Sequence, residues 1–234
     1  MNIVITGASS GVGFEAVLDL ILDSKHKVIA LARTQEKLKT LYDIAKGLNP
    51  DCTLYPAQFD IVHDDYPNGL IPFIEERFGK IDILINNAGS LINKPFMELS
   101  QIDFADMLQS NLLGHVKMIQ NLVPLMNENS HIVNIGSMGG FQGSVKFPGL
   151  SAYSASKGAL HILTECLAPE LLDRKISINC LALGSAQTEM LEKAFPEFQS
   201  PIAAFEMGKY IADFALTGHK FFNGKIIPVA QNTP

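Results

Sequence analysis

Asn2-Ile3-Val4-Ile5-Thr6-Gly7-Ala8-Ser9-Ser10-Gly11-Val12-Gly13 is the stretch whose reading decides the fold. It opens with a short β-branched run, apolar enough for a strand covered on both faces. Glycines follow at once, and beyond them Phe14, Val17, Leu18, Ile21 and Leu22 recur at helical spacing. A glycine pattern set between a strand and a helix points to dinucleotide binding. Glycine lets the backbone turn tightly and come close to a pyrophosphate, whose charge then faces the free N–H groups and positive dipole end of the helix. Gly11 and Gly13 are expected to allow that approach most directly, with Gly7, Ser9, Ser10 and Val12 completing the turn. The same glycines alone would serve a plain strand-to-helix turn, so the flanking elements carry the reading.

The rest of the chain repeats the alternation of short apolar runs and longer amphipathic segments. Further strands are expected over Lys27 to Ala32, Thr53 to Gln58, Ile81 to Asn86, His131 to Gly136, Ser177 to Ala182 and Lys225 to Val229. Long helices are expected over Ser100 to Met126 and Ser151 to Arg174. Strands separated by helix-length segments imply an α/β fold, a Rossmann-type doubly wound parallel sheet of about seven strands with helices on both faces. No repeat or linker divides the chain, so residues 1–234 are expected to form one dinucleotide-binding domain that includes the catalytic site.

Composition narrows the function. A net charge of -6 and the lack of a Lys/Arg-rich run argue against a nucleic-acid partner. Cys52, Cys166 and Cys180 lack metal-ligand spacing, so no metal is expected, and they read as thiols in a reducing compartment. The N-terminus carries no leader pattern and no apolar stretch reaches membrane-spanning length, so a cytoplasmic protein without a membrane partner is expected.

Several positions carry chemistry. A nicotinamide site selective for NAD usually has an acidic residue about 20 positions past the glycines, where an arginine would instead suit a 2′-phosphate. Here the second strand ends Leu31-Ala32-Arg33-Thr34, so NADP(H) is expected to be favoured, with NAD(H) use left open. Tyr153 and Lys157 stand four apart, on one face of a helix. A close ammonium is expected to lower the phenol pKa from its ordinary value near 10 and make Tyr153 a usable acid/base. Ser137 ends the fifth strand, where ligands gather in open α/β sheets.

In the order and spacing of these motifs the chain resembles the classical short-chain dehydrogenase/reductase family over nearly its whole length. The resemblance begins with Gly-x-x-x-Gly-x-Gly, and implies an adenine-binding role for Asp60-Ile61 and a cofactor loop at Asn86-Asn87-Ala88-Gly89. It implies that Tyr153, Lys157 and Ser137 are catalytic and that Asn111 completes a tetrad by supporting a water-linked proton path to the lysine. Thr188 and Gly184 would contact the nicotinamide end, and Tyr153 and Lys157 would also touch the cofactor. The implied activity is interconversion of a small carbonyl and an alcohol by hydride transfer. The rival is a cofactor-binding sensor with little turnover. Departures are Ser10, where NADP-preferring members often have a second basic residue; Leu183 in place of the usual proline; and an apparent insertion at Ser144-Val145-Lys146. The tail Pro228 to Pro234 also lacks the family's Asp-Gly-Gly. Helix pairing in the family implies a homodimer or homotetramer. His115, His131 and His161 need no catalytic role.

Overall fold

The computed structural model of the chain describes residues 1–231; the last three residues of the tail, 232–234, lie outside them. Seven strands form one parallel sheet: β1 (Asn2–Thr6), β2 (Lys27–Ala32), β3 (Thr53–Gln58), β4 (Ile81–Asn86), β5 (Met126–Ser137), β6 (Ser177–Leu183) and β7 (Ile226–Val229). Their order is β3-β2-β1-β4-β5-β6-β7. The direction of winding reverses between β1 and β4, and the crevice outside the carboxyl ends of strands at such a reversal is where ligands bind.

Helices cover both faces. On one side α1 (Gly11–Leu20), α2 (Gln35–Leu48) and α8 (Ala204–Thr217) bury Val17, Leu41 and Ile211 against Ile3, Ile5 and Ile85. On the other, α3 (Ile71–Arg77), α5 (Gly114–Leu122) and α6 (Ser151–Glu170) cover Val4, Leu84, Ile132 and Ile178. Alternate residues of each strand feed the two layers, which explains why these strands read as unbroken Val/Ile/Leu runs. None of the helices among the described residues is long and apolar enough to cross a membrane.

The structure corrects the expected elements at several ends. β5 starts at Met126, not His131, and β7 starts at Ile226. The first part of β5 runs through exposed Asn127, Glu128 and Asn129, so its apolar signal begins only where the strand enters the core. The helix expected from Ser100 to Met126 is present but irregular: α4 (Gln101–Leu108) runs on through a π turn over Gln109–Leu113 into α5, and a 3-10 turn follows at Val123–Leu125. α6 ends at Glu170, just past Pro169, and a separate 3-10 turn covers Leu172–Arg174. A short α7 (Glu189–Ala194) lies between β6 and α8.

Candidate active site

The carboxyl ends of β1, β2, β4, β5 and β6 open onto a cleft of about 890 Å³. At its floor the first glycine turn makes two left-handed residues, Gly7 (φ +67°) and Gly11 (φ +60°), conformations that a side chain would strain. Gly13 differs from what the spacing implied. Its backbone needs no special angle, but a Cβ there would lie 2.2 Å from Asn87 Nδ2 and 2.6 Å from the Gly7 carbonyl oxygen. Gly7 and Gly11 therefore shape the turn, while Gly13 lets α1 pack against the end of β4. Ser10 precedes α1 in extended conformation and its side chain caps nothing, which leaves the helix N–H groups directed at the cleft. A narrow cradle that a Cβ would fill, beneath an uncapped helix start, fits a dinucleotide pyrophosphate. Ser9 and Val12 line the same cleft.

Thr6 knits this turn to the Asn87-Ala88-Gly89 loop. Its hydroxyl accepts from the N–H groups of Asn87 and Ala88 at 3.0 Å each. Asn87 Nδ2 donates to the carbonyls of Thr6 and Gly7, also at 3.0 Å. At the end of β2, Ala32 is buried, while Arg33 and Thr34 are exposed and line the cleft. Among the described residues Arg33 enters no ion pair. After β3, Asp60 uses one carboxylate oxygen to accept from the Val62 N–H at 2.8 Å, and Ile61 is buried at the wall.

Tyr153 and Lys157 sit on the first turns of α6, and with Ser137 from the end of β5 they line the same cleft. Lys157 is buried, and its Nζ donates to the Ile135 carbonyl at 2.7 Å. Burial pushes its pKa down to about 8. The phenol departs from expectation: burial raises the Tyr153 pKa, and only the Ser137 hydroxyl pulls the other way. The ammonium is directed at a backbone carbonyl, so helical spacing alone does not deliver its charge to the phenol. The Ser137 hydroxyl also accepts from the Gly139 N–H at 3.1 Å, a capping role that coexists with its place in the cleft.

Asn111 is the one expected site residue that does not line the cleft. It lies fully buried in the π turn, behind the wall. Its Oδ1 accepts from the Ser90 N–H at 2.9 Å, and its Nδ2 donates to the Ser90 carbonyl and to Ser156 Oγ, each at 3.0 Å. A Cβ on Gly89 would lie 2.8 Å from Asn111 Oδ1 and 3.5 Å from Lys157 Nζ, so asparagine and lysine flank the same loop.

On the opposite wall, Gly184 donates its N–H to Val229 at 2.9 Å, and Thr188 caps α7 by accepting from the Leu191 N–H at 3.2 Å. The Thr188 methyl stands 3.3 Å from where a Cβ of Gly11 would be, so this segment bridges the cleft. Sequence reasoning passed over what holds it there. Lys37 of α2 pairs with Glu189 at 2.9 Å, and Asn93 Nδ2 donates to the Ala194 carbonyl at 2.7 Å. These residues are far apart in sequence and belong to no motif. Thr6 had a local signal, as a hydroxyl at a strand end beside the glycine turn. His115, His131 and His161 are buried; His115 is held neutral, its pKa down to about 3 by burial and the Lys157 charge.

Comparison with known proteins gives the family. The family model described as short chain dehydrogenase matches residues 1–198. An uncharacterized oxidoreductase of Staphylococcus aureus strain USA300 is 28% identical over 228 residues, covering 97% of this chain and 95% of that protein. A 3-oxoacyl-[acyl-carrier-protein] reductase of S. aureus strain Mu50 is 27% identical over 238 residues, 97% and 95% of the two chains. A short chain dehydrogenase from Burkholderia cenocepacia, crystallised with NADP, shares the fold at a TM-score of 0.86 and 24% identity, over 99% of this chain and 96% of that one. The chain belongs to the short-chain dehydrogenase family of NAD(P)-dependent oxidoreductases.

Proposed function

We propose that the protein interconverts a carbonyl and an alcohol, with NADP(H) as preferred cofactor and Tyr153 as the acid/base. The observation that carries this reading is the convergence of Ser137, Tyr153 and Lys157 at the β5 end of a cleft whose other end is the glycine turn. When bound, the nicotinamide cofactor supplies the hydride for reduction and accepts it for oxidation. Gly7 and Gly11, with Ser9, Ser10 and Val12, would hold its pyrophosphate, with Gly13 letting α1 start close beside them; Asp60 and Ile61 would hold its adenine. Arg33 and Thr34 would hold its 2′-phosphate, and Asn87, Ala88, Gly89, Gly184 and Thr188 the half nearer the chemistry. The solved relative bound to NADP, and Arg33, which enters no ion pair among the described residues, support the cofactor preference.

Ser137 Oγ donates a hydrogen bond to the substrate oxygen and stabilises the charge that develops there. Tyr153 gives its phenolic proton to that oxygen in reduction and takes it back in oxidation. Burial keeps the phenol protonated at neutral pH but makes it a weaker proton donor, so the acid/base role calls on the positive charge of Lys157 to offset that burial. Lys157, anchored by Ile135, would hold the cofactor ribose, and its positive charge in the same cleft would favour the phenolate of Tyr153. Asn111 acts through the Ser90 and Gly89 backbone to hold Lys157's surroundings, which makes it a positioning residue. The chain is proposed to work as one unit and to pair with copies of itself.

The test is NADPH consumption over a panel of aldehydes, ketones and quinones, with wild type beside Tyr153→Phe and Lys157→Ala. Tyr153→Phe is expected to lose turnover and keep cofactor affinity. Lys157→Ala is expected to lose both. Wild-type rates in Tyr153→Phe would remove the acid/base assignment, and cofactor binding without turnover of any carbonyl would favour a sensor.

A further inference from the structure

Resting on the oxidoreductase reading above, we infer that the substrate end of the cleft takes an uncharged, lipophilic carbonyl compound, and that Phe147, Phe195 and Phe198 set that preference. Three segments close round this end: residues 90–95, 138–150 and 185–203. Asn93 joins the first to the third by its bond to Ala194, and the Lys94 N–H joins the first to the second through the Gly149 carbonyl at 2.9 Å. The third segment is tied at its base, where Ser200 Oγ donates to the Ser185 carbonyl at 3.0 Å and the Gln187 N–H to Ile202 at 2.8 Å. The chamber they enclose is therefore a built one, and Phe195 is adjacent to its clasp.

Its lining is apolar. Leu91, Val145, Phe147, Leu150, Phe195 and Phe198 all face the cleft that holds Ser137 and Tyr153. Phe147 and Phe198 remain 57% and 48% exposed, so a ligand in the mouth would cover large apolar side chains that the chain itself leaves open. Val145 belongs to Ser144-Val145-Lys146, the stretch that reads as an insertion in the sequence, and Phe147 follows it directly.

Charged and hydrogen-bonding partners are scarce at this end. Among the described lining residues the only Lys or Arg are Arg33 and Lys157, and Lys146, exposed beside Phe147, has its Nζ on the Phe141 carbonyl and Ser144 Oγ at 2.6 Å each. Arg33 ends β2, three strands away from β5 and so about 14 Å across the sheet. Lys157 is bound to Ile135, and the one carboxylate on the bridging segment that lines the cleft near Thr188, Glu189, is paired with Lys37. The hydroxyls are engaged as well: Ser90 with Ser110 at 2.6 Å, Ser144 with the Phe141 carbonyl at 2.9 Å, Ser185 with Ser200 at 3.0 Å. Ser137 and Tyr153 are left to meet one reacting oxygen, with Gln199 at the exposed rim. A substrate carrying a carboxylate, a phosphate or several hydroxyls would bury groups that find no partner here.

The test compares decan-2-one with 9-oxodecanoate, matched in chain length and in the position of the methyl ketone but differing by a terminal carboxylate. NADPH-dependent reduction is followed for both. In parallel, decan-2-ol and 9-hydroxydecanoate are titrated calorimetrically into the enzyme with NADPH, a complex in which the reduced cofactor cannot take a hydride from the alcohol. We expect kcat/KM for decan-2-one to exceed that for 9-oxodecanoate by about thirty-fold or more, and decan-2-ol to bind about tenfold tighter than its acid. Phe147→Ala and Phe198→Ala are each expected to raise KM for decan-2-one by about tenfold, the worth of one covered aromatic side chain. Equal or better handling of the carboxylates, or alanine variants with unchanged KM and unchanged alcohol affinity, would overturn the inference. If no carbonyl is turned over, the oxidoreductase reading fails, while the alcohol titration still decides the chamber's preference.

Discussion

Replacing Gly13 by alanine should damage the protein in two ways that can be measured separately. The new Cβ would sit 2.2 Å from Asn87 Nδ2, where ordinary contact begins at 3.4 Å, so the Asn87 amide must retreat by roughly 1.2 Å. The Gly7 carbonyl, 2.6 Å away, is backbone and cannot swing aside. Retreat breaks the hydrogen bonds from Asn87 to Thr6 and Gly7, worth about 1 kcal/mol each. Overpacking adds about 2 kcal/mol, and the better helix propensity of alanine returns about 1 kcal/mol. The net loss is about 3 kcal/mol, or a fall in Tm of about 6–12 °C for a domain of this size. NADPH affinity should also fall about tenfold or more, because the displaced groups shape the glycine turn. Urea unfolding followed by circular dichroism gives the first quantity, and NADPH fluorescence titration at low denaturant the second. Gly47→Ala is the control: α2 leaves open space around that position, so the change should be neutral or slightly stabilising. If Gly13→Ala matches wild type in both stability and NADPH affinity, the close packing argument is wrong.

Cofactor choice should follow Arg33. Arg33→Ala is expected to erase most of a roughly tenfold or greater preference for NADPH over NADH, since charge-assisted bonds to a phosphate contribute about 1.5–3 kcal/mol each before screening. Ala32→Asp should push the preference toward NADH; titration of both cofactors at fixed salt decides, and an NADPH preference untouched in Arg33→Ala would exclude this arginine. The buried histidines should make the fold acid-sensitive. His115, at about 3, and His131 and His161, each at about 4, are depressed below the ordinary 6.5 by burial. The unfolded chain therefore takes up these protons first, and stability present above about pH 6.5 is lost as pH falls toward 4. Each of the three should contribute up to about 1.4 kcal/mol per pH unit within that window. Urea unfolding at pH 7.5, 6.5 and 5.5 measures it, and a flat stability across that range would contradict the burial of neutral imidazoles.

The strands were legible because each is covered on both sides and so reads as a continuous apolar run. The glycine turn, the Asn87 loop and the Tyr153/Lys157 pair were legible because their members lie within one turn or one helix. Where the reading failed, the missing term was distance through space. The exposed polar start of β5 hid only the strand's first residues, and the π turn around Asn111 was not legible because the Ser90 loop it bonds lies elsewhere in the sequence. The rise in the Tyr153 pKa could not be read from its spacing to Lys157, since helical register says which face two side chains share but not what else buries them.

By itself, then, the sequence determined the alternating elements, the order of the motifs and the family they mark. All of these rest on neighbours along the chain, through period and turn chemistry. Only the tertiary structure decided that Gly13 is a packing residue, that Asn111 stands behind the cleft, and that Lys37 and Glu189, 152 positions apart, close over it. The physical reason is that steric clearance, desolvation and ion pairing depend on which segments the folded sheet brings face to face. Those contacts have no periodicity to announce them.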